Sequence, residues 1–317
     1  MRKFIAVAVL AIVGLTGCSS ASDSGRPDRT KAIQAKSPDT ASALPTTQQP
    51  RRRSVNVDGV NVSILEAGTG DPVIFVHGVV TTSNIFPKYL DAYSPNFRGI
   101  AVDLRGYGDS DKPDTGFTID QFSKDLIKLA DALHIEKPVW VGVSMGGMIL
   151  QRLALDNPSR VRALVLVSTT DGAMILDKHI PSIGAPRDYR EVSKNMIVES
   201  FPPGTDPTTY QPLLDRIPTW NATVIRQALT SMSQFNVHGQ LSQIKVPTLI
   251  MVGAKDDVAT PAIARGIQEQ IPGSQLTEFN TGHFMMAEDP ERFLRVLGDF
   301  LRGLKSIDPT TGGRTAP

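Results

Sequence analysis

The chain has 317 residues, of which 40% are hydrophobic and 21% charged, the composition of an ordinary globular protein. A formal net charge of +1, with no long Lys/Arg run, argues against a nucleic-acid-binding protein. A single cysteine excludes an internal disulfide framework and a metal site built from several cysteines.

The first part of the chain has the layout of a bacterial export signal. Arg2 and Lys3 precede an apolar run from Phe4 to Leu15, which is shorter than the roughly 20 residues of a membrane-spanning helix. Leu15-Thr16-Gly17-Cys18 then resembles the bacterial lipobox, whose cysteine becomes the acylated first residue of the mature protein. We therefore expect a lipid on Cys18 that anchors the protein to a cell membrane, outside the cytoplasm. An ordinary secretory signal with an incidental cysteine is the alternative.

Two low-complexity segments flank the rest of the chain. Residues 19–50 are rich in Ser, Thr, Ala, Pro, Asp and Gln and lack aromatic residues, and residues 306–317 contain two glycines and two prolines. Such segments bury too little apolar surface to offset the entropy lost on ordering, so we predict a disordered tether and a disordered tail. The folded part is then one domain over residues 51–305.

Short apolar strands alternate with amphipathic helices through this domain. The predicted strands are Ser54–Val57, Val60–Leu65, Val73–Val76, Ile100–Val102, Val139–Val143, Val161–Val167, Val246–Val252 and Leu276–Phe279. The predicted helices are Thr118–Leu133, Met145–Asn157 and two that follow Pro261 and Pro290. The alternation predicts an α/β fold with a mostly parallel central sheet and helices on both faces. Ligands bind beyond the carboxyl ends of such strands, where the sequence places His77, Asp103, Ser144, Asp257 and His283.

Residues 142–147, Gly-Val-Ser-Met-Gly-Gly, join a predicted strand to a predicted helix. Gly142 and Gly146 flank Ser144 at the G-x-S-x-G spacing, which lets neighbouring backbones pass closely while the serine takes a strained, exposed position. The helix that begins at Met145 directs free N–H groups towards this point, where an oxyanion would be stabilised. A phosphate-binding loop is excluded because no Lys-Ser/Thr pair follows the glycines. We predict that Ser144 is a nucleophile.

A serine hydroxyl needs a base that accepts its proton, and the chain has five histidines. His283 follows Thr281-Gly282 after the last predicted strand, so it can lean over the sheet edge towards Ser144. Of the other four, His77 lies in a strand-end turn and His134 at a helix end. His179 and His238 lie outside any motif. We predict that His283 is the base.

These segments resemble the serine α/β-hydrolase family over nearly all of residues 54–304. The resemblance is carried by His77-Gly78-Val79, the turn Asp103–Ser110, the segment around Ser144, Asp257 and Gly282-His283. It implies the α/β-hydrolase fold, a helical cap at about residues 171–242 and no cofactor or metal. It also implies two oxyanion donors, the N–H groups of Met145 and Val79.

The resemblance further implies a triad acid after the strand that ends at Val252, and the residues leave alternatives open. The common family spacing, counted from Gly253, selects Asp256, whereas the common Asp-x-x-x-Pro spacing, counted back from Pro261, selects Asp257. Asp171 is a third candidate, although it fits better at the entry to the cap. We follow the Pro261 count, because the join between loop and helix sets the direction of the acid, and predict Asp257.

The activity implied is hydrolysis of small to medium carboxylic esters through an acyl-enzyme, since a cap encloses an apolar pocket. A serine nucleophile argues against epoxide hydrolases and haloalkane dehalogenases, which share the fold. Lactonases, carbon–carbon bond hydrolases, perhydrolases and acyltransferases remain alternatives, and residues 145–148 resemble the enol-lactonase and perhydrolase branch. A non-catalytic binding lipoprotein is the alternative from another class.

Overall fold

The computed structural model describes residues 49–172, 189–217 and 221–305. The predicted signal peptide, Cys18, nearly all of the predicted tether, His179 and the predicted tail lie outside the described residues.

Eight strands of the described region form a single sheet. They are β1 (Arg51–Val57), β2 (Val60–Ala67), β3 (Asp71–Val76), β4 (Phe97–Val102), β5 (Val139–Val143), β6 (Ala163–Val167), β7 (Thr248–Gly253) and β8 (Gln275–Phe279). Their order across the sheet is β1-β2-β4-β3-β5-β6-β7-β8. The β1–β2 and β2–β4 pairs are antiparallel and the other five are parallel, so the predicted mostly parallel sheet is confirmed.

The helices cover both faces of this sheet. They are α1 (Pro87–Tyr93), α2 (Ile119–Ala132), α3 (Met145–Asp156), α4 (Tyr189–Glu199), α5 (Pro207–Leu214), α6 (Ala222–Gln234), α7 (Pro261–Gln270), α8 (Met285–Glu288) and α9 (Pro290–Lys305). Buried side chains of α1 and α9 belong to one hydrophobic cluster, and those of α2, α3, α6 and α7 belong to another. The sheet separates the two clusters, which is the three-layer arrangement expected of an α/β domain.

Local sequence signals account for most element boundaries. The side chain of Thr118 accepts a hydrogen bond from the N–H of Gln121 at 3.2 Å and caps α2, as its sequence predicts. Strand β7 begins at Thr248, two residues later than predicted. The delay has a physical reason, because Pro247 has no N–H to donate to a neighbouring strand.

Helices α4 to α6 lie between β6 and β7 in the chain, within the segment predicted to form a cap. The hydroxyl of Ser231 on α6 accepts a hydrogen bond from the N–H of Ile119 at 3.0 Å, and the carbonyl of Ser200 after α4 accepts one from His283 N–H at 3.0 Å. These helices are therefore attached to loops at the carboxyl edge of the sheet. Within the described ranges, no helix is both long and apolar enough to cross a membrane.

Candidate active site

Ser144 lies at the junction of β5 and α3 with φ 54° and ψ −117°, a backbone region that residues other than glycine rarely adopt. Its N–H donates to the carbonyl of Val167 at 2.9 Å. Its carbonyl accepts hydrogen bonds from the N–H groups of Gly147 and Met148 and from the hydroxyl of Thr169. These bonds hold the strained backbone at the residue that the sequence predicts as nucleophile.

The glycines around Ser144 are required by close backbone contact, as the spacing predicts. A Cβ atom on Gly142 would lie 2.5 Å from the carbonyl oxygen of Gly146, and one on Gly146 would overlap the carbonyl oxygen of Val76. Ser144 is only 8% exposed, so the prediction of an exposed serine is wrong. The backbone of Gly78 is one reason, because a Cβ there would lie 3.3 Å from the Cβ of Ser144.

The segment His77-Gly78-Val79 presents an oriented peptide group beside Ser144. The N–H of Leu104 donates to Nε2 of His77 at 3.2 Å, so the neutral ring carries its proton on Nδ1, which donates to the carbonyl of Gly78 at 2.7 Å. Burial lowers the pKa of His77 and keeps the ring neutral. The carbonyl and N–H of a trans peptide point in opposite directions, so this bond also fixes the direction of the Val79 N–H.

Two N–H groups near Ser144 are free to bind an anion. Neither Val79 nor Met145, the first residue of α3, donates its backbone N–H to an acceptor within the described ranges. The N-terminus of α3 adds the positive end of its helix dipole. These are the two N–H groups predicted as oxyanion donors, and that role stays a prediction.

His283 follows β8 and pairs with a buried aspartate that follows β7. Its Nδ1 lies 2.9 Å from Oδ2 of Asp256, and the side chains are 5% and 0% exposed, respectively. The other carboxylate oxygen of Asp256 accepts hydrogen bonds from the N–H groups of Val258 and Ala259, at 2.9 Å each. With Nδ1 occupied, Nε2 is the ring atom of His283 that can accept a proton.

The structure thus places Asp256, and not the predicted Asp257, beside His283. Asp257 is exposed and has no hydrogen bond to His283. The N–H groups of Val258 and Ala259 donate to one oxygen of the Asp256 carboxylate and form a local turn. This turn directs the second oxygen towards the imidazole. Pro261 does begin α7, as predicted, but the loop holds one residue more before it than the Asp-x-x-x-Pro spacing assumes.

Asp171, the third candidate, lies in a different cluster. Its carboxylate is 2.7 Å from Nδ1 of His238 and accepts a hydrogen bond from the amide of Gln270 at 2.7 Å. Its carbonyl accepts from the N–H of Val237. Asp171 thus joins the two ends of the segment that contains α4 to α6. Sequence reasoning missed its pairing with His238, because no local motif links residues so far apart in the chain.

The charges of Asp256 and His283 shift each other's pKa and so set the protonation of the pair. Burial by itself would lower the pKa of His283, but the charge and hydrogen bond of Asp256, with smaller contributions from Asp257 and Glu288, raise it. Burial would raise the pKa of Asp256, but the charge and hydrogen bond of His283 and the N–H of Ala259 lower it. The hydroxyl of Ser168 lowers it slightly as well, although its oxygen makes no hydrogen bond of standard geometry. Asp256 thus remains ionised beside a histidine that binds a proton readily.

The site is assembled from the carboxyl ends of parallel strands, with Ser144 after β5, Asp256 after β7 and His283 after β8. A base held by a carboxylate and a serine at a helix N-terminus are the components of nucleophilic acyl transfer. In the portion of the chain that the structure describes, no cluster of three or more His, Cys, Asp or Glu side chains could hold a metal ion.

Comparisons with known sequences agree with this architecture. A sequence model described as alpha/beta hydrolase fold matches residues 71–192, which include Ser144 and the segment of Val79. The AB hydrolase superfamily protein YisY of Bacillus subtilis is 29% identical over 76% of this chain and 95% of its own length. The 3-oxoadipate enol-lactonase 1 of Acinetobacter baylyi is 22% identical over 83% of this chain and 98% of its own.

Solved structures are similar over most of the described domain. Est816, described as an N-acyl homoserine lactone degrading enzyme, is 29% identical with a TM-score of 0.71, over 78% of this chain and all of its own. An enol-lactonase from Burkholderia xenovorans has a TM-score of 0.74 at 22% identity, over 79% of this chain and all of its own. The second likeness concerns the fold alone.

Proposed function

We propose that this chain, which belongs to the α/β-hydrolase family, is a serine hydrolase that cleaves small to medium carboxylic esters through an acyl-enzyme. The observation that carries the proposal is the buried 2.9 Å hydrogen bond between His283 and Asp256. It lies at the same sheet edge as the strained Ser144, so a base with its supporting acid accompanies a serine at a helix N-terminus.

The reaction follows from the roles of these groups. Nε2 of His283 accepts the proton of Ser144 as the serine oxygen attacks the ester carbonyl. The N–H groups of Val79 and Met145 stabilise the negative oxygen of the tetrahedral intermediate, while Asp256 stabilises the imidazolium. His283 then gives the proton to the leaving alkoxide. His283 next takes a proton from a water molecule, whose oxygen attacks the acyl-enzyme. As the bond between the acyl group and Ser144 breaks, His283 returns the proton to the serine oxygen, and the acid is released.

An apolar surface near His283 supports an acyl substrate. Phe201, which follows α4, stacks on Phe284 with ring centroids 5.2 Å apart, and Phe284 is the residue after His283. Ile197 on α4 and Val224 and Leu229 on α6 are buried in the same hydrophobic cluster as Phe284. Phe201 and Phe284 thus place apolar surface on one side of the base, which favours an uncharged acyl group.

A lactone is the second candidate substrate, and a specific likeness favours it. Est816, at 29% identity over its whole length, is described as degrading N-acyl homoserine lactones. A lactone is a cyclic ester, so the same residues would perform the same steps. The one difference is that the leaving alkoxide stays attached to the acyl group.

We also propose that the enzyme acts outside the cytoplasm and is held at the membrane by a lipid on Cys18. The support is the order of a basic start, a short apolar run and Leu15-Thr16-Gly17-Cys18 in the first residues of the chain. Cys18 is the only cysteine in the sequence.

A hydrolysis screen tests the proposed activity. Purified protein is assayed on p-nitrophenyl esters of increasing acyl length and on lactones with and without an N-acyl side chain. Ser144→Ala serves as the matched control for background hydrolysis. We expect turnover of esters with short or medium acyl chains that is absent in Ser144→Ala. Turnover confined to lactones would favour the second candidate, and equal rates for both proteins on all substrates would overturn the proposal.

A further inference from the structure

A second carboxylate holds the turn that carries His283. Glu288, the last residue of α8, accepts the backbone N–H of Gly282 with both of its oxygens, at 3.0 Å each. From the other side, the carbonyl of Ser200 accepts the N–H of His283 at 3.0 Å. The backbone of Gly282 and His283 is thus hydrogen-bonded to α8 on one side and to the segment after α4 on the other.

The neighbours of Gly282 leave no room for a side chain at this position. A Cβ atom on Gly282 would lie 2.7 Å from Cδ of Pro202, 2.8 Å from the carbonyl oxygen of Ser200 and 3.3 Å from a carboxylate oxygen of Glu288. The position of the His283 ring therefore depends on a peptide group that Glu288 contacts directly.

The charge of Glu288 also reaches His283. Three carboxylates face His283 from different elements, namely Asp256 and Asp257 after β7 and Glu288 at the end of α8. Glu288 is half-buried, and it faces Lys255, Asp256 and His283. Burial and the charge of Asp256 raise its pKa, whereas the N–H of Gly282 and the charges of Lys255 and His283 lower it, with a net rise.

The outer side of Glu288 borders a polar cleft of about 340 Å³. The cleft is lined by Thr205, Thr209, Asn280, Thr281, Glu288 and Asp289. Because this side is polar, an amide in place of the Glu288 carboxylate fits without a packing defect. Asp289 provides a matched control, since it is a neighbouring, partly buried carboxylate on the same cleft. Among the described residues, its side chain accepts only from the N–H of Arg292.

We propose that Glu288 is a positioning residue for His283, which fixes the Gly282–His283 turn through two hydrogen bonds and adds a further negative charge near the imidazole. The inference rests on the proposed function in that His283 is taken as the base. The imidazolium that forms during acyl transfer is stabilised by Asp256 in direct contact and by the charges of Asp257 and Glu288 at longer range. Among the described residues, the Glu288 carboxylate accepts from the backbone of Gly282 and makes no hydrogen bond to the imidazole.

The test is an NMR titration of the His283 imidazole in protein with isotope-labelled histidine, assigned with His283→Gln. Glu288→Gln keeps an oxygen for the N–H of Gly282 but removes the charge. We expect it to lower the pKa of His283 by about half a unit, and Asp289→Asn to change it by much less. An equal or absent change in the two variants would overturn the electrostatic part of the proposal.

A second variant tests the positioning of His283 separately from the charge of Glu288. It also keeps the proposal testable if Glu288→Gln does not fold. Glu288→Asp keeps the charge on a shorter side chain that cannot make both hydrogen bonds. We expect kcat to fall by about tenfold with KM unchanged, because the base is held less firmly. An unchanged kcat would overturn the positioning part. The titration needs no turnover, so a wild-type protein inactive on every ester would contradict the proposed function while the titration still decides the electrostatic part of the proposal.

Discussion

The hydroxyl of Thr169, two residues beyond β6, donates a hydrogen bond of 2.8 Å to the carbonyl oxygen of Ser144. A residue after one strand thereby stabilises the unusual backbone conformation of the residue after the neighbouring strand. The side chain of Thr169 also fills the space that a Cβ on Gly147 would need.

Thr169→Val keeps the shape of this side chain and removes the donor. We expect the free energy of unfolding to fall by about 1 kcal/mol and kcat to fall several-fold, because the Ser144 backbone loses one of its three donors. Thr169→Ser is the control and should keep both quantities near the wild-type values. Chemical denaturation and steady-state kinetics measure the two effects, and equal values for Thr169→Val and Thr169→Ser would show that the hydrogen bond has no role.

The identity of the acid gives a sharp comparison between adjacent residues. Asp256→Asn leaves His283 without a carboxylate at Nδ1, so kcat should fall by about 10³ to 10⁴. Asp257→Asn removes only an exposed charge and should change kcat by less than about threefold. Steady-state rates of both variants on one ester decide the matter, and a larger loss in Asp257→Asn would restore the assignment made from the Pro261 spacing.

The pH dependence follows from the raised pKa of His283. The base acts in its neutral form, so kcat/KM should rise with pH as His283 loses its proton. Burial lowers this pKa, but the charge and hydrogen bond of Asp256, together with the charges of Asp257 and Glu288, raise it, so the acid limb should lie above the usual histidine value of about 6.5. A pH profile from 5 to 9 measures this limb, and an inflection well below pH 6 would contradict the electrostatic account.

The lipid anchor is tested on full-length protein expressed in a bacterium. We expect the wild-type protein to partition into detergent and Cys18→Ser to remain in the aqueous phase, because several acyl chains anchor firmly where one binds only marginally. Mass spectrometry of the mature N-terminus supplies the chemical identity. An unmodified Cys18, or a mature protein that begins at another residue, would rule out the anchor.

The sheet and the strained turn at Ser144 could be predicted from sequence because their signals are local. Strands β5 and β6 are buried along their whole length, so they appear as uninterrupted apolar runs, and the glycines around Ser144 record contacts between backbones that the fold requires. The identity of the carboxylate beside His283 could not be predicted in this way. Its direction depends on hydrogen bonds from Val258 and Ala259 to Asp256, which spacing does not reveal.

The residues that support the site from other elements could not be predicted from sequence patterns for a related reason. Thr169 acts on Ser144 from 25 positions away, and Asp171 pairs with His238 across 67 positions. Contacts between separate elements leave no periodicity or motif in a single sequence. Glu288 is close to Gly282 in the chain, but a glutamate just before the helix that begins at Pro290 is equally consistent with a solvent-exposed position.

The central claim is that Ser144 is a nucleophile activated by His283 and Asp256, and covalent labelling with a fluorophosphonate tests it most directly. The probe reacts with a serine whose hydroxyl is deprotonated by a neighbouring base and does not need the natural substrate to be known. We expect folded wild-type protein to be labelled stoichiometrically at Ser144 by peptide mass spectrometry, Asp256→Asn to be labelled far more slowly and Ser144→Ala not at all. Folded wild-type protein that is not labelled, or that carries the label on another residue, would contradict the account.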